Sequence, residues 1–315
     1  MDSTIRAWLS FILTGPYSSV LPFAIVPLFS AWIVQHLMSR VERISLEPAW
    51  RAILGGVGAC VPGLVTLCLV NFSTYYIPRI SPGDFGCYVK IYGPLCLVLI
   101  LVARAVTLCL IRGHRISQLK ELTTQPSERL VRLSAELRLA VSELATPVPI
   151  CMTVGFLSPR ILVSTGAVAQ FSDQDLRAAL LHERAHVVNG HTRIRAFISL
   201  FSECGLWRAT NALNLYAQAC EEIADEEAAH EVGPLVLAAV LVRFARVSWN
   251  LPFAEAFAKK NGLERRVRRL LEPPVQAVQD WTNMLLLVAL CLTLCLAAYP
   301  QVARVAARSL FNCTP

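Results

Sequence analysis

The sequence predicts a mainly α-helical integral membrane protein with four transmembrane helices. Between the third and fourth it places a cytoplasmic α+β domain with a small β-hairpin. Three observations predict this. Of 315 residues, 55% are hydrophobic and only 16% are charged, against about 25% charged in ordinary soluble chains. The mean hydropathy is +0.52. Four apolar runs each reach the roughly 20 residues that cross a bilayer, and one long polar stretch separates the last two.

The runs divide the chain. Residues 1–111 hold three spans, at about 18–38, 52–72 and 91–111. Residues 112–280 form the polar domain. Residues 281–315 hold the fourth span, at about 282–299, and a short tail. Pro22 and Pro27 interrupt the first run, which neighbouring helices can accommodate. Gly55, Gly56, Gly58 and Gly63 give the second run small packing residues. Arg104 lies within the third, either paired inside the bundle, snorkelling to the interface, or functional. Met1–Arg6 and the residues after it do not read as a signal peptide, having one basic residue and no small-x-small cleavage site.

The net charge of +7 reads as positive-inside loops. Arg40, Arg43 and Arg51 follow the first span; Arg112, Arg115 and Lys120 follow the third; Arg265, Arg266, Arg268 and Arg269 precede the fourth. These put the polar domain in the cytoplasm and both termini outside, as expected in a bacterial inner membrane. Arg304 and Arg308 in the tail oppose this mildly. No basic run carries interleaved aromatics, so no direct nucleic-acid contact is expected. Many of the 11 cysteines sit in apolar runs as small hydrophobes. No CxxC pair occurs, which argues against a cysteine metal cluster. Cys87 and Cys313 both fall on the outer side, where a disulfide can persist.

Within the polar domain, residues 127–144 carry apolar positions among charges and read as one amphipathic helix. Pro147 and Pro149 open a loop that leads into a short strand ending near Leu157. Ser158-Pro159 marks a turn, and residues 160–164 form a second strand, so the two can pair as a hairpin. Ser172 caps the next helix and Asp175 completes a capping-box-like start. Asn189-Gly190 stops it. Further helices are expected from about Thr192, from about Asn211 to Val232, and from about Leu235 to Trp249, with Gly233-Pro234 between the last two.

The capped helix carries His182-Glu183-Arg184-Ala185-His186, an H-E-x-x-H motif. On a helix its two histidines lie one turn apart on one face, so both can grip one Zn²⁺ while Glu183 stands beside it as general base. A third protein ligand would leave one position open for water. Gly190 and His191 are each about one residue out of place for a third-histidine pattern. Downstream, Glu221-Glu222-Ile223-Ala224-Asp225 places Glu221 and Asp225 on one helix face. Glu221 can bind the metal and Asp225 can hydrogen-bond the remote nitrogen of a ligand histidine. Glu221 rather than Glu222 rests on the spacing to Asp225; Glu222, Glu226 and Glu227 are read as a solvated face. His191 is read as a surface or supporting residue. His230 is either an oxyanion stabiliser or an ordinary helical histidine. Cys220 adjoins Glu221. Together these point to metal-assisted peptide hydrolysis, with the strand near Val154 holding substrate in extended form.

The run from Val154 to Ser164, then Asp175-Leu176, H-E-R-A-H, E-x-x-A-D and Leu263-Glu264-Arg265-Arg266-Val267-Arg268-Arg269-Leu270-Leu271 resembles the BlaR/MecR-type membrane zinc peptidases. So does the layout of three spans, a zinc domain and a fourth span. The resemblance implies a minigluzincin-like domain with one Zn²⁺ held by His182, His186 and Glu221 and with Glu183 as base. It implies cleavage of a repressor or other regulatory protein, and often of the peptidase itself. Ala224 and Asn189-Gly190-His191 are also similar to HtpX-type and CAAX prenyl protease-type membrane peptidases, whose quality-control role is the alternative. A non-catalytic zinc-binding receptor or scaffold is the third reading. The beta-lactam sensors of the family carry a penicillin-binding domain after the last span, and this sequence ends at Pro315. The input signal is therefore expected from its own spans or from a membrane sensor partner.

Overall fold

The structure, a computed structural model, describes residues 32–41, 47–61, 85–156, 158–204, 210–248 and 260–272, with the side chains of a few of these excepted. Helices α1 (32–41) and α2 (48–61) come first. Next come α3 (Phe85–Glu121), β1 (Thr123–Thr124), α4 (Glu128–Glu136), β2 (Val141–Leu144), β3 (Cys151–Val154) and β4 (Arg160–Ser164). Then follow α5 (Thr165–Gln170), α6 (Asp173–Val188), α7 (His191–Cys204), α8 (Thr210–Val232), α9 (Pro234–Ser248) and α10 (Lys260–Leu271).

The four strands form one sheet in the order β1-β2-β4-β3. β3 and β4 pair antiparallel with Cys151 opposite Val163 and Val154 opposite Arg160. This pair sits in a larger sheet than a hairpin, because β2 joins β4 in parallel and β1 joins β2 antiparallel. β2 corrects the single helix expected over 127–144. The helix ends at Leu137, and Arg138 takes a left-handed φ of 54° that turns the chain. Leu137, Leu139 and Val141 repeat every second residue, the strand period, and β4 offers Val141–Leu144 a ladder that a lone helix end could not.

α6 begins where its capping box places it. Ser172 Oγ accepts from the Asp175 backbone N–H, and Asp175 accepts in return from the Ser172 N–H, both at 3.2 Å. Asp175 is buried and also receives Arg243 of α9 at 2.6 and 2.7 Å. α6 ends at Asn189, and Gly190 takes the left-handed φ of 64° that lets α7 start at once. α8 is rich in Ala and Glu, both strong helix formers. Gly233 at φ 88° closes it and Pro234 opens α9.

α8 bridges two cores. Its first half packs Ala212, Leu215 and Tyr216 against Val34 and Met38 of α1 and Leu54 of α2. A Cβ on Gly55 would lie 2.6 Å from Tyr216 N and 2.7 Å from Ala212 O, so the α2–α8 crossing requires glycine there. Its second half joins α6, the sheet and α9 through Ala228, Leu180 and Leu237. Buried alanines (Ala178 on α6 and Ala228 on α8) keep side-chain bulk low in this second core.

Among the described residues no helix is long and apolar enough to cross a membrane. The expected fourth span (282–299) and residues 18–31 and 62–72 of the first two lie outside the described residues, as do Cys313 and the side chain of Cys87. Residues 91–111 are helical within α3, where Leu99, Ile100, Val102, Val106 and Leu110 are exposed, as is Arg104. Residues 52–61 of the second lie in α2, where Leu54, Ala59 and Val61 are buried against protein.

Three basic residues assigned to membrane-side loops are corrected. Arg51 is buried in α2 and pairs with Glu222 of α8. Arg265 pairs with the same Glu222, and Arg266 with Asp225. Glu222 is correspondingly no part of a solvated face: it is only 2% exposed. A buried carboxylate persists only when paired, and three guanidiniums supply the pairing, those of Arg51, Arg265 and, at 3.7 Å, Arg269.

Candidate metal centre

α6 and α8 bring the predicted ligands together. His182 Nε2 and His186 Nε2 lie 3.2 Å apart, the two rings meeting edge to face. Glu221 Oε2 is 3.4 Å from His182 Nε2, and Glu221 Oε1 is 3.6 Å from His186 Nε2. One ligand atom from each residue falls within 4.8 Å of the others, so the three form a group that could hold a metal ion. Two imidazoles and one carboxylate converging from buried helix faces are the donor set of a catalytic zinc site that leaves a position open. The residues present fit the ion.

Supporting residues fix each ligand. His182 Nδ1 approaches Asp225 Oδ1 to 3.0 Å. This is an ion-pair contact, since Nδ1 makes no well-aligned hydrogen bond. Arg266 Nε and Nη2 donate to Asp225 Oδ2 and Oδ1 at 2.6 and 2.7 Å, and its Nη1 lies 3.0 Å from Glu221 Oε2. His186 Nδ1 lies 2.9 Å from Nδ1 of His191, which is buried. His191 is thus a supporting residue and not a surface one. Thr153 of β3 donates its hydroxyl to Glu183 Oε2 at 2.8 Å.

The electrostatics follow from this packing. Burial alone would lower His182, but Asp225 and Glu221 outweigh it and hold the metal-free imidazole at about 10. Burial and the nearby His182 charge push His186 down to about 3. Burial would raise Glu221, yet His182 and Arg266 keep its carboxyl well below the usual range. Asp225 is held low in the same way against its burial, chiefly by Arg266. Burial raises Glu183, with His182 and Thr153 acting against it. The half-buried Glu221 carboxylate is therefore ready to ligate, and the buried Glu183 is biased toward taking up a proton.

Two candidates fall away from the centre. His230 is exposed on α8, about 13 Å further along the helix axis than Glu221 by the rise of 1.5 Å per residue. That distance removes it from an oxyanion role. Cys220 is buried in the core with α1 and α2, and burial lifts its thiol to about 11.

Arg266 and Thr153 were missed by sequence reasoning. Arg265, Arg266 and Arg269 pair with Glu222, Asp225 and Glu226, but their spacings differ (+1, +3 against +3, +1), so sequence spacing carried no signal that α10 matches α8. Thr153 had none beyond its place in a strand.

No curated protein matches the chain. Residues 148–260, a stretch that includes Thr153, the H-E-x-x-H helix, Glu221 and Asp225 and ends before Arg266, match the model of Peptidase family M48, which supports a metallopeptidase here.

Proposed function

We propose that the protein is a membrane-anchored, zinc-dependent endopeptidase that hydrolyses peptide bonds of a protein substrate. The observation that carries this is the convergence of His182, His186 and Glu221 with a buried Glu183 beside them. His182, His186 and Glu221 would hold one Zn²⁺. When bound, zinc lowers the pKa of a water to near neutrality and polarises the scissile carbonyl.

The chain's own residues do the rest. Glu183 takes the proton of the attacking water and returns it to the leaving amine. Its upward pKa shift moves the carboxyl toward neutrality, where one group can both accept and give a proton. Thr153 fixes Oε2, so the side chain cannot swing away between the two transfers. β3 is the terminal strand of the sheet order and packs on α6. Its outer main-chain groups can pair with an extended substrate, carrying the scissile bond toward Glu183.

Cleavage of a regulatory, repressor-like protein, and of the peptidase itself, is the first substrate reading. Quality-control cleavage of many membrane-side proteins is the second. It is favoured by β3, because strand pairing reads backbone and not sequence. The exposed apolar face of α3 and the apolar composition support anchoring in a bacterial inner membrane. Exposed Arg40, Arg115 and Lys120 support a cytoplasmic catalytic domain with both termini outside. A reporter fused after Pro315 that signals from the cytoplasm would refute that topology. A non-catalytic metal scaffold would leave Glu183 without a task.

Glu183→Gln decides the central point. The variant is expected to keep zinc and lose proteolysis by several orders of magnitude. Undiminished cleavage refutes the peptidase. In pull-downs, the same variant distinguishes one trapped regulator from many trapped proteins.

A further inference from the structure

We propose that Arg266 is a positioning residue that makes Glu221 a one-oxygen metal ligand. This rests on the metallopeptidase reading above. α10 lies against α8, and its arginines divide the acidic residues between them. Arg265 pairs with Glu222, and Arg269 with Glu226 at 2.7 Å and with Glu222 at 3.7 Å, contacts that dock one helix on the other. Arg266 alone turns to the metal-facing pair. Its Nε and Nη2 clamp both oxygens of Asp225, and its Nη1 reaches Glu221 Oε2 at 3.0 Å.

A planar guanidinium can hold two carboxylates in a fixed relation in a way that a point-charge ammonium cannot. Here one of the two is a ligand. The other touches Nδ1 of a second ligand, His182. Arg266 therefore sets two of the three donors at once. Oε2, 3.4 Å from His182 Nε2, is engaged by Nη1, so Oε1, 3.6 Å from His186 Nε2, is the oxygen left without a guanidinium. A carboxylate that gives only one oxygen leaves coordination space for the water that hydrolysis needs. Arg266 also balances charge. Glu183, Glu221 and Asp225 would overcompensate a dication by one negative charge, and the guanidinium restores neutrality.

The test uses the full-length chain in detergent and three variants: Arg266→Ala, Arg266→Lys and, as control, Arg268→Ala. Arg268 is exposed and pairs only with Glu264 of its own helix among the described contacts. Zinc affinity is read by competition with a chromophoric chelator, coordination by the visible absorption of the Co²⁺ form, and folding by thermal unfolding. Arg266→Ala is expected to lose roughly 10–100-fold in zinc affinity, the usual cost of removing a ligand's support. Its Co²⁺ absorption should weaken, as coordination number rises above four. Arg266→Lys keeps the charge beside Asp225. It should unfold near the wild-type temperature and still show lower affinity and the altered spectrum. Arg268→Ala should match wild type. Wild-type affinity and spectrum in Arg266→Lys would overturn the proposal, leaving Arg266 as a docking contact. Failure of the wild-type chain to take up zinc or cobalt would overturn the metal centre itself.

Discussion

The Nδ1 atoms of His186 and His191 lie 2.9 Å apart, in a buried contact between the last turn of α6 and the first residue of α7. Only one of two facing ring nitrogens can carry a proton. His186 presents Nε2 toward His182 and Glu221, so its Nδ1 is the donor and His191 Nδ1 accepts. Burial holds both rings below their ordinary range, neutral as this requires. Gly190 makes the contact possible, because its left-handed turn brings the next helix back onto the ligand.

His191→Ala should therefore weaken zinc binding by roughly 10–100-fold without removing a ligand. His191→Gln, which keeps an acceptor, should recover part of the loss. Equal affinity in wild type and His191→Ala, measured by chelator competition, would show that the contact orients nothing.

Thr153→Val removes the hydroxyl from Glu183 and keeps the shape. A hydrogen bond to a charged group contributes about 1.5–3 kcal/mol, so kcat should fall roughly tenfold or more. Thr153 lowers the Glu183 pKa against its burial, so the variant should move the acidic limb of the kcat/KM profile to higher pH. An unmoved limb would mean that Glu183 does not titrate in the reaction.

Most of the centre was readable because local sequence rules specify it. The capping box of Ser172 and Asp175 starts α6 in register, and spacing four residues apart brings His182 over His186. The same spacing pairs Glu221 with Asp225 on α8. What was not readable depends on packing across the chain. Glu222 and Arg51 are far apart in sequence, and only their burial together shows that neither is a surface charge. Arg266 looked like a loop cation because nothing local says that α10 docks on α8. Residues 141–144 looked helical because β4, which draws them into a sheet, comes later in the chain.

The Arg51–Glu222 pair joins α2 to the helix that carries Glu221, with both side chains buried. Removing one partner of a buried ion pair costs about 3–5 kcal/mol. Arg265 still reaches Glu222, so Arg51→Met should cost near the lower end, about 3 kcal/mol. Thermal unfolding of the metal-free chain checks this. An unchanged midpoint would show that Arg265 and Arg269 together satisfy Glu222.

Metal uptake should release about one proton at neutral pH, by displacement from a ligand. In the metal-free protein His182 titrates at about 10, while His186, at about 3, is already neutral. Glu221 is already ionised, its carboxyl held low. Only His182 must lose a proton to ligate. Because its pKa is raised from 6.5 on folding, its contact with Asp225 stabilises the metal-free fold fully below that value. The contribution fades as pH rises through about 10. For zinc the direction reverses: protons compete, so the apparent Kd should fall about tenfold for each unit of pH gained between about 7 and 9. Titration in weakly buffered solution reads the proton directly. Release of two protons would mean that His186 also starts protonated, and release of none would mean that Asp225 does not hold His182 in its charged form.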